Sequence, residues 1–294
     1  MTVGRAGQVI GQGDWDILFC TRALSEFNLY RRGGHNLLPL YLVPETDNPQ
    51  RKLASHQNWH PNLRSAFLKT LSNALCLNQT EQYGLPDGLT PEHIFHYIYG
   101  VFHSPCYRNR YAEFLKIDFP RLPLTSSLEL FRTLARLGGE LVALHLLEAP
   151  IVAGITAAFD RSARAWRFEY AKGHKPPTTL RFIGSGDPAV EKVSYADQTV
   201  WIDKAKTTGF CGVPEAVWEF HIGGYQVCAK WLKDRKGRTL SADDIGHYHK
   251  IVVALHETIR LMVEIDKTID SHGGWPGAFI TDPEKLKGLT SPKT

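Results

Sequence analysis

LSADDIGHYHKIVVALHETIRLMVEIDKTID, residues 240–270, reads as one long helix. Leu240-Ser241-Ala242-Asp243-Asp244 is a helix start in which Asp244 stands where a capping box usually has Glu or Gln. Ile245, Tyr248, Val252, Leu255, Ile259, Met262 and Ile269 then follow a three-four heptad spacing, broken once by Asp266. A stripe of that length wants a partner helix of similar length. The stretch from Leu128 to Leu147 supplies one. Ser126-Ser127 offers the cap, Leu128, Phe131, Leu134, Leu137, Leu141, Leu144 and Leu147 recur every three or four residues, and Pro150 stops the run. Gly138-Gly139 inside it marks close packing or a bend. The two helices are expected to pair antiparallel and to bracket what lies between them.

What lies between is different in kind. From Ile151 to Ile222, β-branched and aromatic runs (Ala165–Tyr170, Thr178–Ile183, Val190–Tyr195, Thr199–Asp203, Val217–Ile222) alternate with Gly, Pro and Asp punctuation. That pattern predicts a β-rich module of short strands. Upstream, Ile17–Cys20 and Leu37–Val43 read as two strands of a hairpin or sheet edge with a turn at Gly33-Gly34, and 45–52 as a loop. Asn62–Leu77, Thr90–Phe102 and Tyr107–Leu115 read as helices, the second capped by Thr90 with Pro91 at its first position. The fold class is therefore α+β. A mixed helical connector with N-terminal strands covers residues 1–125, a β-rich module with its flanking helices covers 126–272, and a loose Gly/Pro/Lys tail covers 273–294.

Composition sets the outer bounds. The chain has 294 residues, 43% hydrophobic and 22% charged, enough for a sizeable core and without a disorder signature. No apolar run reaches the ~18 residues of a membrane helix, and the N-terminus has no signal-peptide core. The five cysteines are odd in number and scattered, which fits a reducing compartment. A soluble, cytoplasmic protein without membrane contact is expected.

The net charge of +4 is unevenly placed. Residues 160–181 hold six Lys/Arg against two acids, and 230–238 hold five against one, so each window carries +4 and the rest of the chain −4. Segregated basic charge of this kind fits a polyanion-facing surface. The candidate DNA contacts are Arg161, Arg164, Arg167, Lys172, Lys175 and Arg181 in the first window, and Lys230, Lys233, Arg235, Lys236 and Arg238 in the second. Strand alternation puts Ala165, Arg167 and Glu169 on one face and Trp166, Phe168 and Tyr170 on the other, the aromatic face being core. Arg in loops beside a sheet suits base edges, and the second window suits phosphates.

Reaction chemistry is missing. Gly184-Ser185-Gly186-Asp187-Pro188 lacks the Gly-Lys-Ser/Thr of a phosphate loop and reads as a turn, and neither a dinucleotide fingerprint nor a nucleophile elbow occurs. The closest histidine sets, His56/His60, His93/His96 and His247/His249, have no acid at ligand spacing and read as structural or surface residues. Cys106, after Pro105 in an aromatic neighbourhood, reads as a buried inert thiol. No cofactor, metal or catalytic residue is expected.

Ile94-Phe95-His96-Tyr97-Ile98-Tyr99-Gly100-Val101-Phe102-His103-Ser104-Pro105, continuing through Tyr107-Arg108, Tyr111–Lys116 and Asp118-Phe119-Pro120-Arg121-Leu122-Pro123-Leu124, resembles the C-terminal specificity region of type ISP restriction–modification enzymes. Val217–Tyr225, Lys230–Arg235 and the helix Ile245–Met262 are similar to the same family, so the resemblance spans most of residues 15–270. The family's larger enzymes couple this part to a nuclease, an ATP-driven translocase and an adenine-N6 methyltransferase. This chain has no Asn/Asp-Pro-Pro-Tyr motif, no S-adenosylmethionine glycine loop and no helicase or nuclease motif. The resemblance thus implies only the target recognition part, a separate chain or a piece of one: sequence-specific binding of double-stranded DNA, with methyltransferase, translocase and nuclease domains as partners in cis or in trans. The shared motifs read as scaffold, Gly223-Gly224-Tyr225 as the passage from a strand to a helix, and Trp218, Phe220 and Trp231 as core. The alternative is an assembly subunit that docks a methyltransferase or translocase through its long helices.

Overall fold

The computed structural model describes residues 1–4, 15–27, 34–43, 59–174 and 179–282. In chain order the elements are β1 (Thr2–Val3), β2 (Leu18–Phe19), β3 (Asn36–Leu37), β4 (Tyr41–Leu42), β5 (His60–Pro61), α1 (Ser65–Ala74), α2 (Pro91–His103), α3 (Pro105–Arg110), α4 (Ala112–Leu115), α5 (Leu128–His145) and α6 (Pro150–Ala153). The strand-rich part follows as β6 (Thr156–Asp160), β7 (Ala165–Glu169), β8 (Arg181–Ile183), β9 (Ser194–Ala196), β10 (Thr199–Trp201) and β11 (Gly209–Cys211). Then come α7 (Glu215–Trp218), β12 (His221–Ile222), β13 (Tyr225–Gln226), α8 (Val227–Lys233) and the long α9 (Ala242–Ser271). The fold is α+β.

Both long helices start as their sequences dictate. Ser127 Oγ accepts the Leu130 N–H at 3.1 Å. Ser241 Oγ accepts the Asp244 N–H at 3.1 Å, while Asp244 accepts the Ser241 N–H at 3.1 Å, completing the capping box with an Asp. Helices α5 and α9 run antiparallel: His145 near the end of α5 meets Thr258, and Arg136, two turns earlier, meets Glu264 further along α9. The buried stripe of α9 departs from the heptad reading past Leu255. It continues through Thr258, Leu261, Ile265 and Ile269, while Ile259 and Met262 are half-buried. The first half of α9 packs on the β6–β7 hairpin and the second half on α5, so the buried face turns with the change of partner.

The glycine pair in α5 serves another helix. α2 crosses α5 so closely that a Cβ on Gly138 would lie 1.9 Å from the His96 carbonyl oxygen, and one on Gly100 2.8 Å from that of Leu134. Tyr97 stacks on Phe131, their ring centroids 4.5 Å apart, beside this crossing. The β6–β7 hairpin lies on the N-terminal half of α9, with the Phe168 ring 4.1 Å from that of His249. Strands β8, β11, β10 and β9 form an antiparallel sheet in that order. Buried residues from Val3 to Phe279 form one continuous core that crosses position 125 without a break.

Several local expectations change. Of the two readings of the Ile17–Cys20 and Leu37–Val43 runs, the hairpin gives way to the sheet edge, because β2 and β3 each pair with β1, which lies between them. Gly33 and the expected loop at 45–52 lie outside the described residues. The Tyr107–Leu115 helix is two short ones, α3 and α4, and of Val190–Tyr195 only the end joins a strand. Val217–Ile222 is not a strand. Pro214-Glu215 opens the helical turn α7, and only His221–Ile222 are extended. Gly223-Gly224, with φ of 58° and 77°, is the two-residue turn of the β12–β13 hairpin rather than a passage into a helix. The tail begins docked: Trp275 stacks on Phe279, centroids 4.3 Å apart, and the Ile280 N–H donates to the Leu124 carbonyl at 2.7 Å.

Candidate nucleic-acid interface

The β6–β7 hairpin carries the first basic window, and its alternation is as the sequence requires. Trp166 is buried, Phe168 and Tyr170 are half-buried, and Ala165, Arg167 and Glu169 are exposed. At its tip Asp160 Oδ1 accepts the N–H groups of Ser162 and Ala163 at 2.9 and 3.0 Å and the Ser162 hydroxyl at 2.6 Å. The Ser162 hydroxyl, with those amides, holds the Asp160 carboxyl below the usual carboxylate range. Arg161 and Arg164 are exposed on this tip.

The described cations of that window do not form one patch. Arg167 folds back onto Asp160, Nη2 to Oδ2 at 2.7 Å. Lys172 follows β7, and Arg181 pairs opposite Cys211 at the start of β8. Both are exposed but sit at the end of the strands away from the tip, roughly 13 Å along a five-residue strand. Lys175 lies outside the described residues.

The tip end is assembled by the loop after β8. Trp166 Nε1 donates to the Ser185 carbonyl at 3.0 Å, and the Gly186 backbone packs on the Phe159 ring, so the start of β7 and the end of β8 coincide. Ile183 pairs with Gly209, and Gly209 with Trp201, so the β10–β11 turn opens at this same end, with Thr208 packed on Gly184. Further along the loop, Val190 exchanges backbone hydrogen bonds with the second basic window: its N–H donates to Arg238 O at 3.0 Å, and Gly237 N–H to its carbonyl at 2.8 Å. The next residue, Glu191, donates to Ile202 O at 2.8 Å, just before the β10–β11 turn. Arg161, Arg164 and the segment ending at Arg238 are thus gathered around one loop, 184–191.

Within the second window the roles divide again. Lys233, Lys236 and Arg238 are exposed. Lys230 pairs with Asp234 and lies 5.3 Å over the Tyr225 ring. Arg235 stacks 3.5 Å above the Trp231 ring, donates to the Trp231 carbonyl at 3.1 Å and reaches Asp244 at 3.4 Å. It braces the junction of α8 with α9. Lys192, Lys204 and Lys206, also exposed at this end, were not found by counting charge in windows, because Asp203 and Glu191 cancel them locally.

The histidines are occupied in scaffold. His93 closes the Thr90 capping box, His96 packs on Gly139, and His247 stacks on Trp231. His249 is fully buried with Nε2 3.1 Å from the Tyr170 hydroxyl. His56 lies outside the described residues. Among the described residues no group of three or more His, Cys, Asp or Glu is arranged to hold a metal ion. Cys106 is exposed rather than buried, and Asp266 beside it pushes its thiol up to about 11, toward the protonated form.

The sequence matches the family described as the type ISP C-terminal specificity domain over residues 3–264. The chain belongs to that family. In fold, this specificity domain is similar to the DNA-bound ATP-dependent type ISP restriction–modification enzyme LlaBIII, at 18% identity and a TM-score of 0.52 over 82% of this chain and 14% of that one. It is also similar to a nuclease-deletion mutant of the type ISP enzyme LlaGI in complex with a DNA substrate mimic (20% identity, TM-score 0.38, 66% of this chain and 14% of that one). A third similarity is to DrdV in its DNA complex (21%, 0.47, 86% and 22%). The specificity domain therefore spans about a seventh of the length of the type ISP enzymes it resembles. No curated protein matches it.

Proposed function

We propose that this specificity domain recognises a DNA sequence in duplex form for a restriction–modification system that methylates adenine at N6, and that it performs no chemistry itself. The match to the type ISP specificity domain over residues 3–264 carries the reading. The grouping of exposed cations around the 184–191 loop supports it. Arg161 and Arg164 would read base edges, Arg to guanine being the commonest specific contact. Lys233, Lys236 and Arg238 would hold register on phosphates. Lys172, Lys175 and Arg181, away from the tip or outside the described residues, would meet flanking backbone. Lys230, Arg167 and Arg235 act first as braces. Methyltransferase, translocase and nuclease domains, in cis or in trans, are the partners that would use the reading, in the cytoplasm where the DNA is. Among the described residues no helix is long and apolar enough to cross a membrane.

The assembly-subunit reading needs an apolar helix face, and the long helices offer little. α5 is covered by α2 and α9, while α9 is covered by α5, the β6–β7 hairpin and α8, leaving Val263 as its exposed large apolar side chain. Binding of the chain to duplexes selected from a random pool, followed across about 50–200 mM salt, tests the proposal. The expected result is an enriched sequence and a log–log slope near −0.9 per phosphate contacted. Equal, salt-insensitive binding to all duplexes would overturn it.

A further inference from the structure

We infer that the β10–β11 turn is a second DNA-contacting prong beside the β6–β7 tip, with Lys204 and Lys206 as its contact residues and Asp160 and Asp203 as the positioning residues of two matched turns. The inference rests on the DNA-recognition reading and adds to it a surface that the charge windows left out.

The two turns are built alike. Each opens with an Asp whose carboxylate faces back into its own turn. Asp203 Oδ1 accepts the N–H groups of Thr207 and Thr208, both at 3.1 Å, and Oδ2 accepts the Thr207 hydroxyl at 2.6 Å. In the first turn Asp160 does the same with Ser162 and Ala163. Each places a cation in the left-handed region, Arg164 at φ 49° and Lys206 at φ 55°, which non-glycine residues adopt rarely. Lacing by the Asp holds that backbone in place, so the flanking cations project from a fixed base. Arg161 and Arg164 stand exposed on one turn, Lys204 and Lys206 on the other.

Their placement fits a groove and its rim. Both turns open at the Ile183 end of the strands, with β8 and its following loop between them. The β6–β7 hairpin and the β8–β11–β10–β9 sheet are separate sheets, joined at this end by the Trp166–Ser185 hydrogen bond, so the two turns flank one loop, and the major groove they would straddle is ~12 Å wide. Arginines on one prong can enter the groove while lysines, as compact charges, meet phosphates at its edge. Asp187 is exposed on the loop between the prongs, where a carboxylate can accept from cytosine N4, while Glu191 accepts the Lys204 N–H at 3.4 Å and ties that loop to the β10–β11 turn.

The test uses the whole chain, a duplex enriched from a random pool and a scrambled duplex of equal length. Lys204→Ala/Lys206→Ala is expected to weaken binding to both duplexes alike and to flatten the salt slope by about 2, with the melting temperature unchanged. Lys204→Gln/Lys206→Gln replaces it if alanine lowers the melt. Arg161→Ala/Arg164→Ala is expected instead to cut the preference for the enriched duplex by tenfold or more. Asp203→Asn, with both lysines present, should reproduce part of the lysine effect. Parental affinity and slope in the lysine variant would overturn the inference while leaving DNA recognition standing, and parental binding by Asp203→Asn would remove the positioning role. Failure of the unaltered chain to bind either duplex would overturn DNA recognition, and this inference with it.

Discussion

The Cys106 backbone N–H donates to Asp266 Oδ2 at 3.0 Å, joining residues 160 positions apart. Asp266 Oδ1 also accepts the hydroxyl of the fully buried Ser104, the residue whose Oγ caps α3 through the Tyr107 N–H at 3.0 Å. The acid that interrupts the apolar pattern of α9 is thus a cap on another helix, supplied across the fold. Asp266→Leu completes the heptad on paper, yet it leaves Ser104 and the Cys106 amide without their acceptor. It should destabilise by about 1–3 kcal/mol. Urea unfolding checks this, and a variant as stable as the parent would show that the cap contributes nothing.

Gly138 and Gly139 are neighbours with opposite expected behaviour. Alanine in a helix interior gains about 1 kcal/mol over glycine. At Gly138 the new methyl would collide with the His96 backbone at 1.9 Å, and backbone cannot step aside cheaply, so the net effect is a loss of about 1–3 kcal/mol or more. At Gly139 the nearest atom is the His96 side chain at 3.0 Å, which can shift, and Gly139→Ala should stay within about 1 kcal/mol of the parent. Equal unfolding midpoints for the two variants would contradict the close crossing of α2 and α5.

The sequence exposed the parts of the fold that have length. A thirty-residue helix with a Ser241–Asp244 cap, and its partner with Ser127 and the leucine repeat, carry enough turns for periodicity to speak. Strands of two or three residues do not. Val217-Trp218-Glu219-Phe220-His221-Ile222 alternates like a strand, but Pro214 followed by Glu215 starts a helical turn that six alternating residues cannot reveal. At the interface the charge windows found Arg161 and Arg238, whose gathering depends on the 184–191 loop, a long-range fact absent from any local pattern. They missed Lys204 and Lys206, whose signal lay in the Asp at the start of each turn.

Buried imidazoles set the acid limit of stability. Burial pushes His249 down to about 3 and His145 down to about 4, so both are neutral in the folded protein at pH 7. Thr258 Oγ1 donates to the Ala254 carbonyl at 2.8 Å and so accepts from His145 Nε2, leaving Nδ1 to accept the Tyr99 hydroxyl at 2.6 Å. The unfolded chain takes up protons near pH 6.5, which the folded chain refuses until much lower pH. Stability is therefore full above about 6.5 and falls as pH drops, by about 1.4 kcal/mol per pH unit for each histidine. Unfolding free energies measured at pH 7, 6 and 5 should show that slope. Burial pushes His103 well down too, so His249→Leu, which leaves only the half-buried Tyr170 hydroxyl to find water, should reduce the slope by about a third, and an unchanged slope would exclude His249 as a source.

Charge reversal separates bracing from binding within the second basic window. Arg235 lies 3.5 Å above Trp231 and reaches Asp244, the acid of the α9 capping box. Arg235→Glu removes that stack and sets two acids side by side, so it should cost about 1–3 kcal/mol of stability whatever it does to DNA. Lys233 and Lys236 are exposed, and their paired replacement by Glu should leave stability within about 0.5 kcal/mol. The same pair should weaken duplex binding and flatten its salt dependence by about 2, one step per lost phosphate contact. Thermal melts and binding measured on the same preparations distinguish the cases. A lysine pair that melts early, or an Arg235 variant that melts like the parent, would reverse the assignment of brace and contact.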